Sequence, residues 1–271
     1  LTGAAARCTV PDPPAYVPSM LSDPWFYLVA IPAVVLMGFA KGGFAGLGTL
    51  AVPLLSLRLP PVQAASITLP ILLVQDAVGI ALFRGTWDRA ILKLMLPFAA
   101  AGILLGFLLA AYVSDAWVEI AVGAIAIAFG AYRLWVERHG VPHLSTSGPW
   151  LGATCGLATG FASQIAHAGA PPFQVYVLTR RLPRDTLIGT SAVFFATVNW
   201  LKVPAYAALG QFTRANLLAA AALLPAAIVS TWVGSRLVRR VDGHVFYRVI
   251  YALMIAVGAK MLWDGSRHAF A

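Results

Sequence analysis

Residues 96–113, LPFAAAGILLGFLLAAYV, return 128 positions later as residues 224–241, LPAAIVSTWVGSRLVRRV. Leu96-Pro97, Gly106 and Val113 fall on Leu224-Pro225, Gly234 and Val241. The register continues without a gap to Gly130-Ala131 and Leu134-Trp135, which fall on Gly258-Ala259 and Leu262-Trp263. Upstream, Gly46, Arg58 and Pro60 match Gly169, Arg181 and Pro183 at an offset of 123, so the halves differ in length by five residues. Both copies are overwhelmingly apolar, and the chain therefore reads as a duplicated membrane bundle. Internal duplication of this kind is characteristic of transporters, whose sites lie between the repeats.

Composition supports a lipid environment. Hydrophobic residues make up 60% of the 271 and charged residues 11%, against about 25% charged in a soluble domain. The net charge of +9 comes from basic residues in short loops between apolar runs, not from a basic stretch interleaved with aromatics. That pattern anchors cytoplasmic faces and excludes nucleic acid as a partner. Cys8 and Cys155 form no CxxC and no Cys/His pair of metal spacing, so no metal and no cofactor is expected. Residues 1–23 are polar and proline-rich, with no apolar run of the signal-peptide kind; they read as an N-terminal tail, on a chain that opens at Leu1.

Six apolar stretches reach the roughly 20 residues that a bilayer demands: 62–83, 91–113, 116–136, 185–208, 215–238 and 245–264. Each half also opens on an interrupted element. Residues 24–57 are broken by Lys41-Gly42-Gly43, Gly46 and Gly48, and residues 149–179 by Gln164, His167, Gly169 and Pro171-Pro172. Broken backbone at membrane depth survives only inside protein or beside a water-filled cavity, so both are expected to be paired short helices meeting at the membrane centre. The expected fold is an all-α integral membrane protein of two homologous repeats, 24–138 and 149–265. Each repeat holds a broken or re-entrant helix pair and three transmembrane helices. A linker (139–148) joins them and a tail (266–271) follows.

Charge counting selects between topologies. If each broken element crossed once, basic residues would divide nine to eight between the two faces, without bias. If each goes in and returns, the halves are inverted. One face then holds Arg84, Arg89, Lys93, Arg133, Arg138, Arg180, Arg181, Arg184, Arg236, Arg239, Arg240 and Arg248, against Arg7, Arg58, Arg214, Lys260 and Arg267 on the other, twelve to five. The positive-inside rule favours inversion, with both termini extracytoplasmic in a bacterial inner membrane.

Few polar groups are committed to the interior. Asp76 is the mid-span acid, and Lys41 and Lys202 are the interior lysines; a charge at the bilayer centre costs roughly 2.5–3.5 kcal/mol and marks function by default. Lys41 stands at the first break, where a short helix beginning after Gly42-Gly43 would aim its N–H groups at the same space. Asn199, Lys202 and Tyr206 share one helix face by their spacing. Asp76 occupies the position of Asn199 in the first half, and a structural pair between Asp76 and a lysine is the plainer alternative to a ligand role. Ser66, Thr68, Thr190 and Ser191 follow the two breaks and either bind ligand or glue helices. Asp76 and His167 are the candidate coupling groups, His167 as an imidazole able to change protonation near neutral pH. The substrate-binding set is thus Lys41, Gly42, Gly43, Gly46, Gly48, Ser66, Thr68, Gln164, His167, Gly169, Pro171, Thr190, Ser191, Asn199, Lys202 and Tyr206.

Pro171-Pro172-Phe173-Gln174-Val175-Tyr176, Arg181-Leu182-Pro183, Gly189-Thr190, Phe194-Phe195, Asn199, Lys202 and Tyr206 resemble the second-repeat signature of the sulfite exporter (TauE/SafE) family, and Lys41-Gly42-Gly43-Phe44-Ala45-Gly46-Leu47-Gly48 with Pro53 and Leu59-Pro60 its glycine-rich first. The resemblance spans about residues 24–265. It implies a transporter of small sulfur-containing anions such as sulfite, sulfonates, sulfoacetate or thiosulfate, with a small anion and the bilayer as partners and a homodimer as a compatible assembly. The second break departs from the glycine-rich form, reading His167-Ala168-Gly169-Ala170. The competing readings are a passive anion channel or membrane-complex subunit and, less well supported, an intramembrane enzyme. Neither HExxH nor GxSxG occurs, and the chain is expected not to be an enzyme.

Overall fold

The computed structural model describes residues 22–42, 46–110, 112–140, 148–237 and 244–270. No strand occurs among them. The first half runs α1 (Pro24–Gly42), a 3-10 turn (Leu47–Leu50), α2 (Ala51–Leu55), α3 (Pro61–Leu82), α4 (Arg89–Ala110) and α5 (Asp115–His139). The second runs α6 (Pro149–Ala166), α7 (Ala170–Val177), a 3-10 turn (Leu178–Arg180), α8 (Arg184–Ala208), α9 (Arg214–Leu237) and α10 (His244–Phe270). Both halves thus present a long helix, a short one and three long ones. Proline starts several of them: Pro61 opens α3 and Pro149 opens α6, where a missing N–H costs nothing and φ is already helical.

α1, α3, α4, α5, α8 and α9 are each long and apolar enough to cross a membrane. Their outer surfaces carry large apolar side chains, among them Leu104, Leu108, Val229 and Trp232, a surface suited to lipid. The expected spans coincide with α3, α4, α5, α8 and α9, and the stretch 245–264 lies inside α10.

Two expectations need correction. The opening elements are not pairs of equal short helices. α1 continues for 19 residues to Gly42 and α6 for 18 to Ala166, and only the returning pieces, α2 and α7, are short. The break expected at Lys41-Gly42-Gly43 falls where α1 ends, at Gly42, and the next described helical turn begins at Leu47. The expected tail 266–271 is also helical as far as Phe270. Most of the N-terminal tail and of the 139–148 linker, with Cys8, lies outside the described residues.

The helices cross through small residues. α1 packs on α9, α4 on α6, α5 on α10, and α3 on α8 and α9. At the first crossing a Cβ on Gly42 would lie 2.4 Å from the backbone of Gly234; at the second a Cβ on Gly160 would lie 1.9 Å from the Ala99 carbonyl oxygen. Such close approach supplies the dispersion contact that stands in for the hydrophobic effect within lipid. Among the candidate membrane spans α3 is the most enclosed, and Ser66, Thr68, Gln75 and Asp76 along it are all buried.

Candidate functional site

A cavity of about 120 Å³ opens where the ends of α1 and α6, the returning segments, and the middles of α3 and α8 converge. α3 lines it with Thr68 and Leu72, and α8 with Ile188, Ser191, Ala192, Phe195 and Asn199, spacings of three and four that keep each set on one helix face. Ala40 and Ser163, Thr68 and Ser191, and Leu72 and Phe195 all line it, and each of these pairs is 123 positions apart.

The cavity's cation is Lys41. It sits in the last turn of α1, where carbonyl dipoles favour a positive charge. Its ammonium is paired with Asp76 Oδ1 on α3 and lies 5.3 Å from the centre of the Phe195 ring. The other carboxylate oxygen of Asp76 accepts a hydrogen bond from Asn199 Nδ2 at 2.6 Å. Asp76 and Asn199, equivalent positions in the two halves, therefore meet face to face. The expected alternative, a lysine neutralised by Asp76, is realised by Lys41.

Lys202 stands behind the wall. It is fully buried and donates to Ser163 O at 3.2 Å, to Ser163 Oγ at 3.1 Å and to His167 Nδ1. Three acceptors match the three protons of an ammonium. His167 Nε2 lies 2.8 Å from the Ala65 carbonyl oxygen, which can only accept. Nε2 therefore carries the ring proton, and Nδ1 is left with a lone pair for Lys202. His167 itself adopts φ +52°, a left-handed conformation that glycine usually takes at a helix end. Its ring stacks on Tyr206 at 5.9 Å, and Tyr206 Oη donates to Gln164 O at 3.0 Å. Asn199, Lys202 and Tyr206 do share the inward face of α8.

Of the expected binding residues, Lys41, Gly46, Gly48, Thr68, His167, Ser191 and Asn199 line the cavity. The rest are elsewhere. Gly42 faces α9 and Gly169 packs on Thr159. Ser66 donates to Gln211 Oε1 at 2.6 Å and Thr190 Oγ1 accepts from the Asp88 amide at 2.8 Å. Gln164, Pro171, Lys202, Tyr206 and Asp76 lie outside the lining; Gly43 is outside the described residues. Thr49, Ser163, Phe173 and Gln174 line the cavity without having been expected. Ser163 was findable as the partner of Ala40 at the 123 offset and as the residue four before His167.

The helix N-termini contribute less than their positions suggest. α7 begins Ala170-Pro171-Pro172, and two of its first three residues have no N–H to offer. The hydroxyls are engaged as well: Thr68 Oγ1 bonds to the Ala64 carbonyl at 2.9 Å, Ser191 Oγ to Leu187 O at 2.8 Å and Thr49 Oγ1 to Gly46 O at 2.6 Å. Lys41, paired with Asp76, is thus the cation at the wall of a mostly apolar pocket. Among the described residues no group of His, Cys, Asp or Glu could hold a metal.

No curated protein and no solved structure matches the chain. The family model described as "Sulfite exporter TauE/SafE" matches residues 30–261, nearly the whole membrane bundle, and the chain is accordingly an integral membrane protein belonging to that transporter family.

Proposed function

We propose that this protein is a secondary transporter that moves a small sulfur-containing anion (sulfite, an organosulfonate such as sulfoacetate, or thiosulfate) across the bacterial inner membrane. The anion passes through the cavity between two inverted repeats, residues 24–138 and 149–265, with both termini extracytoplasmic. The observation that carries the reading is the Lys41–Asp76–Asn199 array at the cavity wall. It places an ammonium in a mostly apolar space and is assembled from equivalent positions of the two halves. A pocket of about 120 Å³ suits an anion of a few heavy atoms, and family membership supplies the sulfur oxyanion class.

The direction we propose is export. An inside-negative potential already favours anion exit by about 2.3 kcal/mol per charge at 100 mV, so no coupling proton is required. Purified protein in liposomes, with clamped potential and an imposed pH gradient, tests this. Sulfite efflux should follow the substrate gradient and the potential, and should persist in Asp76→Asn. Flux strictly dependent on the pH gradient and lost in Asp76→Asn would replace export with proton-coupled import. Reporter fusions at residue 271 and within 139–148 test the orientation; a cytoplasmic C-terminus or an external 139–148 segment would overturn inversion.

A further inference from the structure

The cavity lining includes a polar residue of the Pro171–Tyr176 stretch that was not among the expected binding residues. Gln174 on α7 is buried and lines the cavity. Its Oε1 accepts a hydrogen bond from Arg133 Nη1 on α5 at 3.3 Å, and Arg133 Nε donates to Tyr251 Oη on α10 at 2.9 Å. The guanidinium also lies 5.3 Å from the centre of the Tyr251 ring. Helices from both halves of the chain thus hold one arginine against one amide.

The chemistry of that contact fixes the amide's orientation. A guanidinium only donates, so the carbonyl end of Gln174 must face Arg133 and its NH₂ end must face away. The NH₂ end lies over Gly46, where a Cβ would come within 3.5 Å of Nε2, and Gly46 lines the same cavity. Among the described residues the amide hydrogens of Gln174 meet no acceptor. The neighbouring hydroxyls, by contrast, direct their protons at helix carbonyls and turn lone pairs toward the cavity. Lys41, Asn199 and Gln174 are therefore the wall side chains with N–H groups to offer an anion, and Gln174 is the one whose carbonyl end is held by a cation, which turns its donor end away from Arg133.

We infer that Gln174 is an anion-contacting residue of the cavity and that Arg133 is its positioning residue, the bound ligand being a small oxyanion. This rests on the function proposed above. A hydrogen-bonded chain from a cation to an amide to an anion polarises each link, so Arg133 strengthens the donor end without entering the cavity. Glycine at position 46 keeps the space above the amide open.

Isothermal calorimetry on purified protein, with sulfite, thiosulfate and sulfoacetate as titrants and thermal unfolding beside it, decides the matter. Gln174→Glu is nearly isosteric and gives Arg133 a carboxylate partner, so a merely structural glutamine would be replaced without loss. The expected result is unfolding at or above the parent temperature with affinity at least tenfold weaker, because a carboxylate oxygen now faces the anion. Parent-like affinity in Gln174→Glu overturns the inference while leaving the transport reading intact. If Gln174→Glu does not purify, Gln174→Met decides by the same criterion. Arg133→Met should weaken binding about tenfold and Arg133→Lys should recover part of it; parent-like binding in Arg133→Met removes the positioning role. A parent protein that binds none of the three anions overturns the functional reading and this inference together.

Discussion

The two interior lysines are buried in opposite ways. Lys41 ends a helix at the cavity wall and faces a carboxylate, so its charge is compensated locally while its ammonium remains in contact with the space an anion would occupy. Lys202 lies in the second half of α8 directly behind the lining residues Ser163 and His167, held by three neutral acceptors. One lysine has a counter-ion and a view of the cavity; the other has neither. On the proposed reading, contact with the anion falls to Lys41, and Lys202 braces the lining residues Ser163 and His167 from behind.

The comparison breaks most readily at Lys41. In Lys41→Met the Asp76 carboxylate is left buried with Asn199 as its remaining partner, a loss of about 3–5 kcal/mol of stability when half of a buried pair is removed. Anion binding should be abolished at the same time, and thermal unfolding with and without sulfite reads both effects. Unchanged stability would mean that the pair is not formed in the membrane.

Lys202→Met should do less to the site and differ in kind. The unpartnered Ser163 and His167 acceptors cost about 1–3 kcal/mol in all. Affinity for sulfite should fall about tenfold through a loosened Ser163 and His167 lining rather than through lost contact. Complete loss of binding in a variant that still purifies would place Lys202 at the ligand after all.

The smallest effect sharpens the second region. His167 holds φ +52°, so His167→Gly relieves the backbone while His167→Ala does not. Both lose the ring's contacts with Ala65, Lys202 and Tyr206, but the alanine variant should be the less stable by about 1 kcal/mol. Equal unfolding temperatures would show that the left-handed turn is not retained.

Much of this was legible before any coordinates. The long apolar runs gave α3, α4, α5, α8 and α9 because bilayer length and helical rise leave little choice. The 123 offset paired Asp76 with Asn199, and the two do meet. The spacing of Asn199, Lys202 and Tyr206 placed them on one face, as observed. What sequence could not supply was long-range approach. Gln174 falls within the Pro171–Tyr176 signature, but the role inferred for it depends on α5 bringing Arg133 to α7. The end of α1 at Gly42 was legible from its glycines, but the packing of Gly234 against Gly42 and the pairing of Asp76 with Lys41 were not. Gly42 and Gly169, expected at the ligand, turned out to serve close packing, a use of glycine that a break and a crossing share in sequence.

The most direct test of the account is sulfite binding by the double variant Lys41→Met, Asp76→Asn, measured by calorimetry on purified protein. Removing both charges keeps the site's net charge and avoids the orphaned carboxylate, so stability close to the parent's is expected. Affinity then reports the ligand contact alone. The account predicts a folded, monodisperse protein that does not bind sulfite, sulfoacetate or thiosulfate; parent-like binding by that variant would contradict it, reducing Lys41 to the partner of Asp76.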